Sequence, residues 1–194
     1  MSAAAPAGAF GRSVAALLVS QLCLLAAYGG FITTYGAFAS ERLGWSTLDI
    51  GLVFTVFALG DISLGAVLAH LADRTGRRRV AIISLAVIAS WALLFVAELP
   101  RLVLYGFTLL VGAALTGFGA SWFALLTEVS PPDRRGRIFG TVSAISQLGV
   151  ILGALVSSTI WQQVGLAPAL AASSAAAALG IVPLLALPRP AGAG

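Results

Sequence analysis

A chain of 194 residues that is 59% hydrophobic and 9% charged is not a soluble globular protein, for which apolar and charged shares of about 45–50% and about 25% are usual. Its net charge of +4 rests on eleven arginines and no lysine. These sit between apolar runs rather than on a basic domain, so they indicate membrane topology and exclude a nucleic-acid footprint.

Apolar runs of about 20 residues, the length a helix needs to cross a hydrocarbon core, recur between short polar breaks and make the chain an integral membrane protein. The first span is expected over residues 13–39. MSAAAPAGAFGR followed by LLVSQLCLLAA resembles a secretory leader, but the apolar run continues through YGGFITTYGAFA, longer than a leader core, so it reads as a retained helix. It carries Gln21, Tyr28 and Tyr35 at seven-residue spacing along one stripe. The lone cysteine, Cys23, can close no intrachain disulfide and reads as a small packing residue.

The second span, 46–71, opens at the STLD capping pattern of Ser46 and Asp49 and contains FALGDISLG. Asp61 stands twelve residues before Asp73, which at ~1.5 Å per residue places it some ~18 Å in from the helix end. A carboxylate at that depth costs at least ~2.5–3.5 kcal/mol unless it meets water or a partner, so Asp61 should not face lipid and is a candidate for proton coupling. His70, one turn before Asp73, reads as interfacial, with a pH-sensitive switch as the alternative.

The third span is expected over 79–98 and is separated by Pro100 from the fourth, 102–128, whose polar or amphipathic positions are Thr116 and Trp122. SPPD at 130–133 ends the fourth span. The fifth, 138–162, carries Ser143 and Gln147 four residues apart on one face, and an amide that far inside a membrane helix needs another helix or a polar ligand. Ala113, Gly117 and Ser121, and likewise Gly149, Gly153 and Ser157, recur at four-residue spacing as small faces for close helix packing. The sixth span, 166–187, has little polar content beyond Ser173 and Ser174.

With six spans, both termini and the 2–3 and 4–5 loops share one side. That side holds Arg12, Arg74, Arg77, Arg78, Arg79, Arg134, Arg135, Arg137 and Arg189, against Arg42 and Arg101 on the other. The bias puts both ends in the cytoplasm.

Topology alone requires neither an aspartate in each arginine run nor a glycine between the arginines. AHLADRTGRR at 69–78 resembles the 2–3 loop signature of the major facilitator superfamily, and EVSPPDRRGRIFG at 128–140, with Asp133 in its second arginine run, resembles its 4–5 loop. The resemblance covers all six spans. It implies an all-α membrane fold of six helices, one half of a twelve-helix carrier, built from two three-helix inverted repeats. It also implies that Asp73, Arg74, Gly76, Arg77, Arg78, Glu128, Arg135 and Arg137 form a conformational gate between two bundles, the arginines pairing with acids such as Glu128. Helices 1 and 4 of each half line the family's cavity. Gln21, Tyr28, Tyr35, Thr116 and Trp122 thereby become substrate-contact candidates, joined by Ser143 and Gln147; interhelical hydrogen bonding and interfacial anchoring are the alternatives.

Two departures stand out. Ala69 occupies a position where the family usually has glycine, and LGVILGALVSS lacks the proline and paired glycines of the family's antiporter motif, so antiport has no support.

The expected function is secondary active transport of a small molecule across the cell membrane by alternating access. A second copy of the chain would enclose Asp61 and rebuild the carrier. The alternatives are one half of a split heterodimer and a non-transporting membrane scaffold. No spacing of His, Cys or carboxylates suits a metal, no cofactor is implied, and no nucleophile motif or phosphate loop suggests an enzyme.

Overall fold

The computed structural model describes residues 7–187, and every regular element among them is helical: α1 (Ala7–Glu41), α2 (Thr47–Thr75), α3 (Arg77–Val96), α4 (Arg101–Val129), α5 (Arg135–Gln163), α6 (Leu166–Leu179) and α7 (Ile181–Leu185). Six spans are long and apolar enough to cross a membrane, α6 and α7 together forming the sixth. Arg189 and the PRPAGAG tail lie outside the described residues.

Local chemistry sets the helix ends. The Ser46 hydroxyl accepts from the Asp49 N–H at 3.2 Å while the Asp49 carboxylate accepts from the Ser46 N–H at 3.0 Å, a reciprocal capping box at the start of α2. At its other end α2 runs to Thr75, four residues past the expected stop, so Asp73 and Arg74 are helical. Gly76 alone joins α2 to α3, with φ at +105°, a conformation that side chains disfavour. The α5 helix begins at Arg135 rather than 138.

The sixth span breaks after Leu179. Pro183 has no N–H to offer the Leu179 carbonyl, and its ring crowds that oxygen. The Gly180 N–H closes the turn on the Ala176 and Ala177 carbonyls at 3.3 and 3.1 Å.

Helix α1 packs on α5 and α6, and α4 packs on α2 and α3, the same arrangement twice over. Glycines register the repeat atom by atom. A side chain at Gly112 would strike the Phe57 carbonyl and one at Gly60 the Leu109 carbonyl, binding α4 to α2; a side chain at Gly29 would strike the Val150 carbonyl and one at Gly153 the Ala26 carbonyl, binding α1 to α5. One constant displacement along each helix maps the first pair of contacts onto the second, as two inverted repeats require.

The interior has two centres. Toward the end holding Arg42 and Arg101, Phe31, Tyr35, Trp91 and Phe95 interlock, with the Phe31 and Trp91 ring centroids 3.9 Å apart. Toward the arginine-rich end, Leu17, Leu85, Phe118, Trp122 and Leu126 fill the space between α1, α3 and α4. Helices α2 and α5 bury least, leaving Leu59 and Ile62 on one and Leu148, Ile151 and Leu155 on the other exposed.

Candidate functional site

Many polar side chains inside the spans are buried, Ser20, Thr34, Thr108 and Ser146 among them, but several of the candidates on α1, α2, α4 and α5 are not. On α1, Tyr28 is 44% exposed, and the half-buried Gln21 two turns away holds its Oε1 without a hydrogen-bond partner among the described residues. On α5, Ser143 and Gln147 are both exposed. The Thr116 hydroxyl of α4 lies 3.5 Å from the Asp61 carbonyl of α2, and Asp61 is half-buried at that seam, neither sealed in the bundle nor fully open to its surroundings. A cavity of about 30 Å³ beside Tyr28, lined also by Phe57, Trp91, Leu115 and Ser174, has room for one water and falls far short of the roughly 300–1,000 Å³ of a small-molecule pocket.

Two candidates lie elsewhere. Tyr35 is 1% exposed, stacks on Phe31 at 4.9 Å, and approaches the Ile50 carbonyl with its hydroxyl at 3.5 Å. Trp122 is also 1% exposed and donates its indole N–H to the Leu17 carbonyl at 2.9 Å. Both are packed interior groups with their polar atoms turned to neighbouring helices. Tyr35 shares a stripe with Tyr28, but Phe54 of α2 and Phe95 of α3 pack edge-on against its ring, with centroids 5.8 and 5.1 Å away.

The gate candidates divide in the same manner. Arg77 is the hub: its guanidinium reaches Asp73 at 3.1 Å and also bonds Glu128, tying the ends of α2 and α4 to the start of α3. Arg78 donates to the Leu185 carbonyl at 2.6 Å and fastens α3 to α7. Arg135 donates to the Ser130 carbonyl at 3.3 Å and closes the 4–5 turn on itself. Arg74 and Arg137 are exposed, as is Gly76, and among the described residues Asp133 pairs only with its neighbour Arg134. Half-buried Cys23 lies against Gly180, consistent with packing, and His70 is exposed.

The structure adds a second group of ion pairs. At the opposite end Arg101 bonds Asp49 at 2.7 Å and lies 5.4 Å over the Trp45 ring, while Arg42 bonds Glu98 at 3.2 Å. Tyr105 donates to the Asp49 carbonyl at 3.2 Å. Phe123 and Phe139 stack with centroids 5.8 Å apart, bridging α4 and α5 at the arginine-rich end. The capping pattern at Ser46 was the available sign of the first group; no sequence signal marked the aromatic bridge.

Comparison with known proteins agrees with this architecture. The family model described as Major Facilitator Superfamily matches residues 17–194. Over 128 residues the chain is 28% identical to proteins named multidrug resistance protein MdtH from Yersinia pestis (strain Pestoides F) and from Yersinia pseudotuberculosis serotype O:1b (strain IP 31758). The match takes in 63% of this chain and 30% of each relative, so the matched stretch spans less than a third of their length. With six spans, a repeated three-helix arrangement and a family match over most of its length, the chain belongs to the Major Facilitator Superfamily.

Proposed function

We propose that the chain is one half of a secondary active transporter, and that two copies related by a two-fold axis bring their α1, α2, α4 and α5 faces together around a shared cavity. One observation carries the reading. Gln21, Tyr28, Ser143, Gln147 and Asp61 all keep exposed or half-buried side chains, yet the cavity at Tyr28 is only about 30 Å³. A substrate site needs the facing bundle. Half-burial of Asp61 fits the same requirement, because a membrane carboxylate wants water or a partner rather than acyl chains.

In this mechanism the two bundles rock about the central site and expose it to each side in turn. Ion pairs at the bundle ends stabilise the closed states. Asp73 and Arg77 meet the start of α5 of the other copy when the arginine-rich end closes, and the Arg101–Asp49 group stiffens the opposite end. Asp61 is the proton-coupling residue. The membrane is the cell membrane, with both termini cytoplasmic, because short arginine-rich segments stay on that side.

Every arginine among the described residues stands at a helix end or in a loop, so no basic group is available to an anion at mid-membrane. The substrates are therefore neutral or cationic. The relatives' name, multidrug resistance protein, suits apolar compounds of that kind.

Reconstituted vesicles test the proposal. Uptake driven by a proton gradient is expected in the parent chain, with loss of the gradient dependence in Asp61→Asn while the dimer persists. Undiminished proton-driven uptake in that variant would end the coupling assignment, and a monomer by native mass spectrometry would end the two-copy model. Activity appearing only with a second, different chain would assign the split-heterodimer reading. Failure of every vesicle assay would leave a membrane scaffold.

A further inference from the structure

Helices α2 and α3 each pack on α4 rather than closely on one another. Because the single residue Gly76 joins them at the arginine-rich end, they diverge from that point and leave a groove between them of about 310 Å³. Val67 and Leu71 form one wall, Ile83 and Val87 the other, and the small side chains of Ala113 and Ala114 the floor. Val67 is 61% exposed and Ile83 62%, so the groove opens sideways, toward the hydrocarbon of a surrounding bilayer. In the second repeat the alanine-rich α6 packs more extensively on α5 than α3 does on α2.

The groove's mouth is positively charged. Arg74 continues the α2 stripe of Val67 and Leu71, and Arg79 continues the α3 stripe of Ile83, by helical spacing. Both are exposed, and unlike Arg77 and Arg78 neither is committed to a partner among the described residues. The amino end of α3 points to the same level and has no side-chain cap and no acidic residue in its first turn, so its dipole adds to the field of the arginines.

From this juxtaposition we propose that the α2–α3 groove is a binding site for one anionic phospholipid, an acyl chain lying between Val67 and Ile83 and the phosphate at Arg74 and Arg79. Basic pockets between membrane helices recognise anionic headgroups by this combination of apolar cleft and charged rim. The stripe of α2 that bears Asp73, His70 and Ile62 is a different one, so the lipid and a facing bundle can be accommodated together. The site does not depend on transport activity.

Native mass spectrometry of the full chain, purified with equal amounts of phosphatidylglycerol and phosphatidylcholine, provides the test. Preferential retention of one phosphatidylglycerol is expected. Each arginine removed should weaken it about fivefold, from the ~1 kcal/mol that a basic residue contributes at an anionic membrane surface, so Arg74→Gln/Arg79→Gln loses most of the adduct while Arg42→Gln at the far end does not. Val67→Trp, which fills the groove from its open side, should abolish retention; if that variant does not fold, Ile83→Trp fills it from the other wall. Equal retention of the two lipids, indifference to the double arginine variant, or indifference to the filled groove each overturns the proposal. Displacement of the adduct by inorganic phosphate would do so too, as the mark of a bare anion site, and so would a second copy found seated in the groove by crosslinking.

Discussion

At Gly60 and Gly153 even a methyl group would run into the backbone carbonyl of the neighbouring helix, Leu109 in one repeat and Ala26 in the other. Backbone cannot rotate aside as a side chain can, so the helices must separate. Gly60→Ala and Gly153→Ala are expected to destabilise the protein by about 1–3 kcal/mol, the usual penalty of overpacking. Gly106→Ala is the control: nothing lies near the added methyl, and the alanine should contribute up to ~1 kcal/mol of helix propensity. Thermal unfolding of the three variants in detergent checks the contrast in sign. Trp122→Phe removes the donor to the Leu17 carbonyl, and the lost hydrogen bond should cost about 1 kcal/mol, with further loss from the smaller ring.

Among the elements, α2 is held at its two ends by different means. Ser46 caps its first turn, where Asp49 also receives Arg101, so Ser46→Ala should cost about 0.5–2 kcal/mol in thermal stability. At its last turn Arg77 holds Asp73 and Glu128 on an exposed surface, where ion pairs contribute at most about 1 kcal/mol. Arg77→Gln should therefore melt close to the parent. Its effect belongs to the balance between transport states, and the rate of vesicle uptake should fall while stability stays level. A large drop in melting temperature would make Arg77 a scaffold residue instead of a gate.

For the whole molecule, the least buried helices, α2 and α5, each expose apolar side chains, Leu59 and Ile62 on one and Leu148, Ile151 and Leu155 on the other. If two copies meet there, cysteines introduced as Asp73→Cys and Gly140→Cys in a Cys23→Ser background should crosslink between chains, because the end of α2 in one copy would approach the start of α5 in the other. Crosslinking within a single chain only, or none under oxidising conditions, would leave the two-copy carrier without its predicted seam.

Hydrophobic length and arginine placement by themselves determined the number of spans, and the paired loop runs and the Ser46 cap were legible in the same way, because each depends on residues close together in the chain. The small-residue faces of α4 and α5 were legible too: the groups at Gly117, Gly149 and Gly153 do meet neighbouring helices. Tertiary structure alone decided which stripe of a helix is covered. Helical spacing puts Gln21, Tyr28 and Tyr35 on one line, yet Tyr35 is enclosed by α2 and α3 while Tyr28 stays exposed and the Gln21 Oε1 has no hydrogen-bond partner among the described residues. The same holds for Trp122, for Gly29, Gly60 and Gly112, and for the gap between α2 and α3. Periodicity fixes angles about a helix axis, but burial depends on where the other axes lie, and that is set by backbone contacts between residues far apart in sequence.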